Sequence, residues 1–268
     1  MKNKGEGRVA LVTGGTSGIG LAAAKALAEK GCAVFTLSRR PAEIPGIRSL
    51  TADVTDEEAV RRALALLFEE AGRIDILVNC AGFGISGAVE FTELTDAKKQ
   101  FDVNFFGAVN VTKAVLPRMR EQKSGMIVNV SSVAAPVAIP FQAFYSAAKA
   151  ALNAWTAALA NEVRPFGIRV TAVQPGDIRT GFTAAREKSA AGDDIYEGRI
   201  SRSVSKMEHD EQNGMDPAKA GACIASAALK RSVPPVSTIG FSYKAVCALA
   251  RLLPASLFNR IVGSLYAD

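Results

Sequence analysis

The feature that most constrains the fold is an alternation that runs through the first 175 residues of the 268-residue chain. Six short apolar runs recur, at Val9-Ala10-Leu11-Val12, Ala33–Leu37, around Arg48–Thr51, Ile74–Val78, Gly125–Val130 and Ile168–Val173. Between them lie longer segments of helical character. One spans Ile19–Lys30 and is ended by Gly31; another opens on Asp56-Glu57-Glu58 and runs to about Glu70. Two more cover about Asp96–Glu121 and Phe141–Arg164, the latter stopped by Pro165. Apolar runs without polar alternation belong to strands buried on both faces, and parallel strands need helical crossovers between them. The pattern predicts an α/β fold: a doubly wound parallel sheet with helices on both faces.

The alternation stops after Pro175. Residues 177–215 are polar and irregular, with Gly181, Gly192, Gly198 and Gly214, and read as a substrate lid. Asp216-Pro217 reads as an N-cap and first helical position, and Pro234–Ile239 as a weak last strand. From Phe241 to Asp268 the residues Leu249, Leu252, Leu253, Leu257, Phe258, Ile261, Val262 and Leu265 recur at helical spacings, with Pro254 dividing them. That spacing predicts two short amphipathic helices. Three roles stay open for this tail: packing on its own domain or a subunit neighbour, covering an apolar substrate pocket, or touching a membrane surface. No Pro/Ser linker or repeat interrupts the chain, so residues 1–268 read as one domain with a C-terminal helical extension.

Composition excludes much machinery. The chain is 49% hydrophobic, enough for a large core, but it holds one histidine, His209. Two-histidine metal motifs are impossible within the chain and no metal site is expected; proton transfer falls to another group. His209 itself sits in the polar run Lys206–Glu211 and reads as a surface residue. Cys32, Cys80, Cys223 and Cys247 form no CxxC pair and read as reduced core or near-core thiols. The start lacks a signal-peptide apolar region, and the long uncharged stretch Gly125–Ala148 contains Asn129, Ser131, Ser132, Pro136, Pro140 and Gln142, which argues against a membrane span. The cytoplasm is the expected compartment. The net charge of +6 is not gathered into a basic run, so nucleic acid is not an expected partner.

Thr13-Gly14-Gly15-Thr16-Ser17-Gly18-Ile19-Gly20 links the first strand to the first helix. Its glycines permit a tight turn and close backbone approach to a diphosphate, at which the following helix points its free amides. The second strand ends in Leu37-Ser38-Arg39-Arg40. An acidic residue here would bind the adenosine ribose of NAD; Ser38 followed by Arg39 and Arg40 instead favours the extra phosphate of NADP.

Tyr145 and Lys149 stand at i, i+4 on one predicted helical face. A free phenol has a pKa near 10, and a neighbouring ammonium lowers it, so the pair supplies acid/base chemistry without histidine. Ser132 follows the fifth run, Asn79-Cys80-Ala81-Gly82 the fourth, and Pro175-Gly176, with Thr180 beyond, the sixth. Carboxyl ends of strands are where open α/β sheets bind ligands.

Taken in order, TGGTSGIG, Asp53-Val54, NCAG, Asn104, Ser132, YSAAK and PGDIRT make the sequence resemble a short-chain dehydrogenase/reductase over at least residues 8–180. The resemblance implies a Rossmann-type sheet binding NADP(H), with Asn104, Ser132, Tyr145 and Lys149 catalytic. Tyr145 would exchange the proton with a carbonyl or alcohol oxygen that Ser132 holds. Lys149 would bind the nicotinamide ribose, and Asn104 would hold a helix kink and a relay water. Gly14, Thr16, Ser17, Gly18, Ile19 and Gly20 would cradle the cofactor. Asp53 and Val54 would flank adenine; Asn79 would stabilise the central strands beside the cofactor; Ile178 and Thr180 would contact the nicotinamide carboxamide; Ala81, Gly82, Pro175 and Gly176 would also bind the cofactor.

The tail and the lid are most similar to the retinol- and hydroxysteroid-dehydrogenase-like branch. Together with Phe83-Gly84-Ile85, Ala134–Phe141 and Phe182 they imply an apolar carbonyl or alcohol substrate. A homodimer or homotetramer, built through the helix of Tyr145 and the long helix before it, is also implied. The Asp-Gly-Gly ending common in the family is missing, which argues against the alternative of a 3-oxoacyl-type reductase. The presence of all four catalytic positions argues against a noncatalytic NADPH-binding regulator.

Overall fold

The computed structural model describes residues 5 and 7–267. Seven strands form one parallel sheet. In chain order, β1 is Val9–Thr13, β2 Ala33–Ser38, β3 Ile47–Thr51 and β4 Ile76–Asn79. The two-residue β5 (Ile85–Ser86) lies outside the sheet, which continues with β6 (Gly125–Val130) and β7 (Ile168–Gln174). The two-residue β8 (Glu187–Lys188) is also separate, and β9 (Val236–Thr238) completes the sheet in the order β3-β2-β1-β4-β6-β7-β9. Every pairing in it is parallel. All residues of β1, β4 and β6 are buried, as continuous apolar runs require.

The helices are α1 (Gly18–Glu29), α2 (Glu57–Ala71), α3 (Leu94–Phe101), α4 (Gly107–Glu121), α5 (Ala143–Val163), α6 (Phe182–Ala185), α7 (Arg199–Gln212), α8 (Pro217–Ala228), α9 (Phe241–Leu252) and α10 (Ala255–Tyr266). Alternate strand residues face opposite layers. Val9 and Leu11 pack with residues of α2, α4 and α5, whereas Ala10 and Val12 pack with those of α1 and α8. Local chemistry sets the ends. Asp56 accepts a 2.9 Å bond from the amide of Ala59 and Gly72 closes α2 in the left-handed region; Asp216 accepts from Ala218 at 2.8 Å ahead of Pro217.

Two segments differ from the sequence reading. The long helix that periodicity predicts over Asp96–Glu121 is interrupted by a π turn at Asp102–Phe106 between α3 and α4, at the place where the resemblance implies a kink held by Asn104. The lid expected to be irregular contains the 14-residue α7, whose Ile200, Ser203 and Met207 are buried on one side. Its two ends are joined: Met215 donates to the carbonyl of Asp177 at 2.9 Å, and Arg179 to that of Met215 at 3.0 Å. Gly214 is required there, because a Cβ would stand 2.4 Å from the oxygen of Asp177. The middle of the lid is fixed by β8, which pairs with β5 beyond β4. The tail forms the two helices expected, α9 and α10, on either side of Pro254.

Candidate active site

The sheet order reverses between β1 and β4, and a crevice opens at their carboxyl ends. Gly14 is held there at φ +64, and a Cβ on it would lie 2.9 Å from Cα of Ala81; a Cβ on Gly20 would lie 2.3 Å from the oxygen of Gly14. A side chain at Gly14 would force the turn and the β4 loop apart, and one at Gly20 would open the turn itself. Thr13 joins the same two segments, its hydroxyl accepting from the amides of Cys80 at 3.0 Å and Ala81 at 3.1 Å. The hydroxyl of Thr16 reaches that of Ser38 at 3.2 Å, fixing the turn to the tip of β2. Arg39 and Arg40 are exposed just beyond that tip. Asp53 accepts from the amide and hydroxyl of Thr55 at 2.9 and 2.8 Å, and Val54 is buried against Gly107.

A cavity of about 730 Å³ extends from this turn. Its walls bring together Gly14, Ser17, Gly18, Ile19, Gly20, Ala81, Gly82, Ser132, Tyr145, Lys149, Pro175, Gly176, Ile178 and Thr180. Of the remaining sequence candidates, Thr16, Ser38, Arg39, Arg40, Asp53 and Val54 lie around the strand tips outside these walls. Asn79 and Asn104 lie behind them. Asn79 is buried with its amide directed to Asn129 (2.8 Å) and Thr112 (3.0 Å), so it ties β4 to β6 and α4 instead of facing the cavity. Asn104 sits in the π turn and grips the backbone of Phe83, accepting from its amide at 3.0 Å and donating to its carbonyl at 2.8 Å. A π turn is a frequent device for turning one side chain off the regular helical face.

Tyr145 and Lys149 share one face of α5. The ammonium of Lys149 lies 5.7 Å from the centre of the Tyr145 ring and donates to the carbonyl of Val130 at 2.9 Å. Burial pushes the Lys149 pKa down to about 8, against a smaller opposing influence of Cys80. Burial likewise pushes Tyr145 up to about 12, outweighing a hydrogen bond with Ser132; Glu211 adds to the rise and Arg186 opposes it. The sequence reading expected Lys149 to depress the phenol. In this structure dehydration of the phenolate wins, and Tyr145 is a neutral phenol across the physiological range. Such a group is set to donate a proton.

The far wall is apolar. Val137 and Ile139 come from the loop after β6, Phe182 from α6, Met207 from α7, and Phe258 and Val262 from α10. Phe182 packs 5.8 Å from the ring of Tyr145. Phe83, Ala134 and Phe182 of the expected substrate loops line the cavity; Gly84, Ile85 and Phe141 do not. Two acids missed by sequence reading also face it, Asp177 and Glu211. Glu211 is bound to the fully buried guanidinium of Arg186 and accepts from the Thr183 hydroxyl at 2.6 Å. Asp177 accepts from the hydroxyl of Tyr243 at 2.7 Å, and burial raises its pKa. The charged run Lys206–Glu211 reads from sequence as a solvated face; only the helical phase of α7 directs Met207 and Glu211 inward. His209 on that helix is exposed, as expected. Cys223 is also exposed, against the expectation of a core thiol.

Comparison with known proteins agrees with this architecture. Residues 8–191 match the family model described as short chain dehydrogenase. A 3-ketodihydrosphingosine reductase from Bacteroides thetaiotaomicron is 39% identical, over 97% of this chain and 98% of its own length. Among solved structures, a short-chain dehydrogenase from Streptomyces avermitilis superposes with a TM-score of 0.81 at 32% identity, covering 97% of this chain and 95% of that one. A 3-ketoacyl-(acyl-carrier-protein) reductase from Brucella melitensis, complexed with NADH, gives 0.74 at 25% identity over 87% and 97%. With the fold, the order of its motifs and the family model all in agreement, this chain belongs to the short-chain dehydrogenase family and is an oxidoreductase acting between carbonyl and alcohol.

Proposed function

We propose that the protein reduces a lipid-like ketone to its alcohol with NADPH as the reductant and Tyr145 as the proton donor. The observation that carries this reading is the continuity of one cavity from the Gly-rich turn, past Tyr145, to the apolar wall supplied by α10. Apolar pockets of several hundred Å³ with a few polar groups suit ligands whose bulk is hydrocarbon. The relative named for 3-ketodihydrosphingosine supports a keto lipid.

The residues present fit a nicotinamide dinucleotide. The turn Gly14–Gly20 and the first amides of α1 suit its pyrophosphate, and Ser38, Arg39 and Arg40 at the β2 tip favour the 2′-phosphate of NADP. When bound, the nicotinamide supplies hydride. Tyr145 donates its phenolic proton to the substrate oxygen, which Ser132 orients, and Lys149 orients the ribose while Asn104 keeps the β4 loop in place. Pro175, Gly176, Ile178 and Thr180 form the wall on the nicotinamide side. The free thiols favour the cytoplasm, and α4 with α5 is the face through which copies of the chain would assemble.

Purified protein with NADPH or NADH and a carbonyl panel tests the reading. The panel runs from small ketones through long-chain ketones, 3-ketodihydrosphingosine, steroids and retinoids to a small 3-oxoacyl thioester. The highest kcat/KM is expected for a long-chain ketone with NADPH. Preference for the thioester assigns acyl reduction instead, and silence across the panel makes the protein a noncatalytic binder; either result overturns the proposal.

A further inference from the structure

The large hydrophobic side chains left in solvent are not scattered. Of thirteen among the described residues, seven lie on α9 and α10. At 100° per residue, Phe241, Ala245, Ala248 and Leu252 fall in one narrow strip along α9, and all four are exposed, Phe241 by 89% and Leu252 by 81%. Leu257, Ile261 and Leu265 make a second exposed row along α10, while Phe258 and Val262 beside them turn inward to the cavity. A helix row inside a domain buries such a stripe; here it faces out.

Two further observations say what covers it. Between Gly240 and Ala267 the charged residues are Lys244, Arg251 and Arg260, all exposed and all cationic, with no acid among them. The apolar surface is also continuous with the cavity: Val246, Leu249, Ile261 and Leu265 both line it and reach solvent. The cavity therefore opens through a hydrophobic rim. Hydrophobic rows flanked by basic side chains are the pattern of helices that lie in a bilayer interface, and anionic headgroups add to their binding. No helix among the described residues is long and apolar enough to cross a membrane, so these helices would lie on its surface.

We propose that α9 and α10 dock the protein onto an anionic lipid bilayer, with the mouth of the cavity turned toward the acyl chains. A keto lipid then passes from bilayer to cavity without crossing water. That purpose rests on the lipid-ketone reading, but docking is measured without turnover.

The test is co-sedimentation of the full chain with vesicles of phosphatidylcholine containing phosphatidylglycerol, against vesicles of phosphatidylcholine alone. Binding to the mixed vesicles is expected, weaker on the neutral ones and weakened by salt. Phe241→Asp with Leu252→Asp changes two side chains that do not line the cavity. Vesicle binding should fall about 100-fold or more, on the scale of two buried side chains lost from an apolar phase. NADPH oxidation with a small soluble ketone should be unchanged, which shows that the variant is folded. Replacing Lys244, Arg251 and Arg260 by Glu should abolish the preference for the anionic vesicles. Wild-type protein that ignores both vesicles, or a double variant that binds as well as wild type, overturns the proposal. So does a double variant that only dissociates a dimer in sedimentation velocity, which assigns the face to a second copy. Intact vesicle binding with no activity on long-chain ketones removes the lipid-ketone reading and leaves docking standing.

Discussion

The floor and the roof of the cavity are held by different forces. The floor is the carboxyl edge of β1, β4, β6 and β7, backed by two large layers of buried apolar side chains. Gly14 and Gly20 in its turn are packed so closely that a Cβ on either would collide with neighbouring backbone. The roof is α6, α7, α9 and α10. Its own buried cluster is small, built on Val133, Val137, Cys247 and Val262, and polar contacts supply the rest. Tyr243 bonds Asp177, Tyr266 reaches Asp210 at 3.5 Å, and Arg199 binds the carbonyl of Ala267. Close packing fixes a geometry, whereas a few exchangeable hydrogen bonds leave an element free to adapt. Tyr145, the proposed proton donor, stands beside the floor, and most of the surface that would meet substrate belongs to the roof. Chemistry and substrate choice are therefore separable by mutation.

The sharpest test of the floor is Tyr145→Phe. It removes one hydroxyl and keeps the ring against Phe182, so kcat should fall by about 10²–10⁴ with every substrate, in line with the loss of a general acid. NADPH binding, read by fluorescence, should stay the same. Turnover that survives with any ketone would break the assignment of the acid to the floor.

Next in size is Arg39→Asp. A charge-assisted bond to phosphate is worth about 1.5–3 kcal/mol, so NADPH should bind about 10–100-fold more weakly while NADH changes far less. Equal losses for the two cofactors would remove the phosphate-reading role from the β2 tip.

The roof should respond differently. Val246→Trp narrows the mouth of the cavity at a half-exposed position that can take the larger ring. The kcat/KM for a long-chain ketone should drop about tenfold and that for a small ketone should hold. A uniform loss across both would show that floor and roof are not independent.

How much of this was legible follows the same division. Strands β1, β2, β4, β6 and β7 announce themselves as apolar runs because they are largely buried on both faces, whereas the edge strand β3 is half-exposed and gives the weakest run; the Gly-rich turn and the Tyr145–Lys149 spacing are local in sequence. The π turn at Asn104 is legible only through the family resemblance, which implies a helix kink there; periodicity alone reads one continuous helix, since the turn goes with the grip of that side chain on Phe83 from another segment. The state of the phenol is not legible: the spacing places Lys149 beside Tyr145 but says nothing of the dehydration that outweighs it. In the lid, α7 offers only Ile200, Val204 and Met207 among polar residues, too sparse a stripe to stand out, so the helical phase that turns Glu211 inward, where it meets Arg186, does not show in the sequence. The tail gave two helices by periodicity, yet its place over the cavity depends on Tyr243 meeting Asp177, a contact between positions 66 residues apart.

That contact gives the smallest and most discriminating prediction. Tyr243→Phe removes the donor to Asp177 and should cost about 1 kcal/mol at neutral pH, a fall in Tm of about 2–4 °C for a domain of this size. The cost should depend on pH. Burial raises the pKa of Asp177 in the folded chain, and the Tyr243 hydroxyl works against that rise. The folded protein thus holds the Asp177 proton at pH values where the unfolded chain has released it, so this carboxyl makes folding less favourable as pH climbs through that window. Without the hydroxyl the window widens upward. Lowering the pH protonates the carboxyl and makes its missing donor matter less, so the Tm difference between variant and wild type should shrink as the pH falls through the raised Asp177 range. A deficit that is constant with pH would mean that Tyr243 holds the roof by its ring alone, packed over Gly176, and that the polar tie contributes nothing.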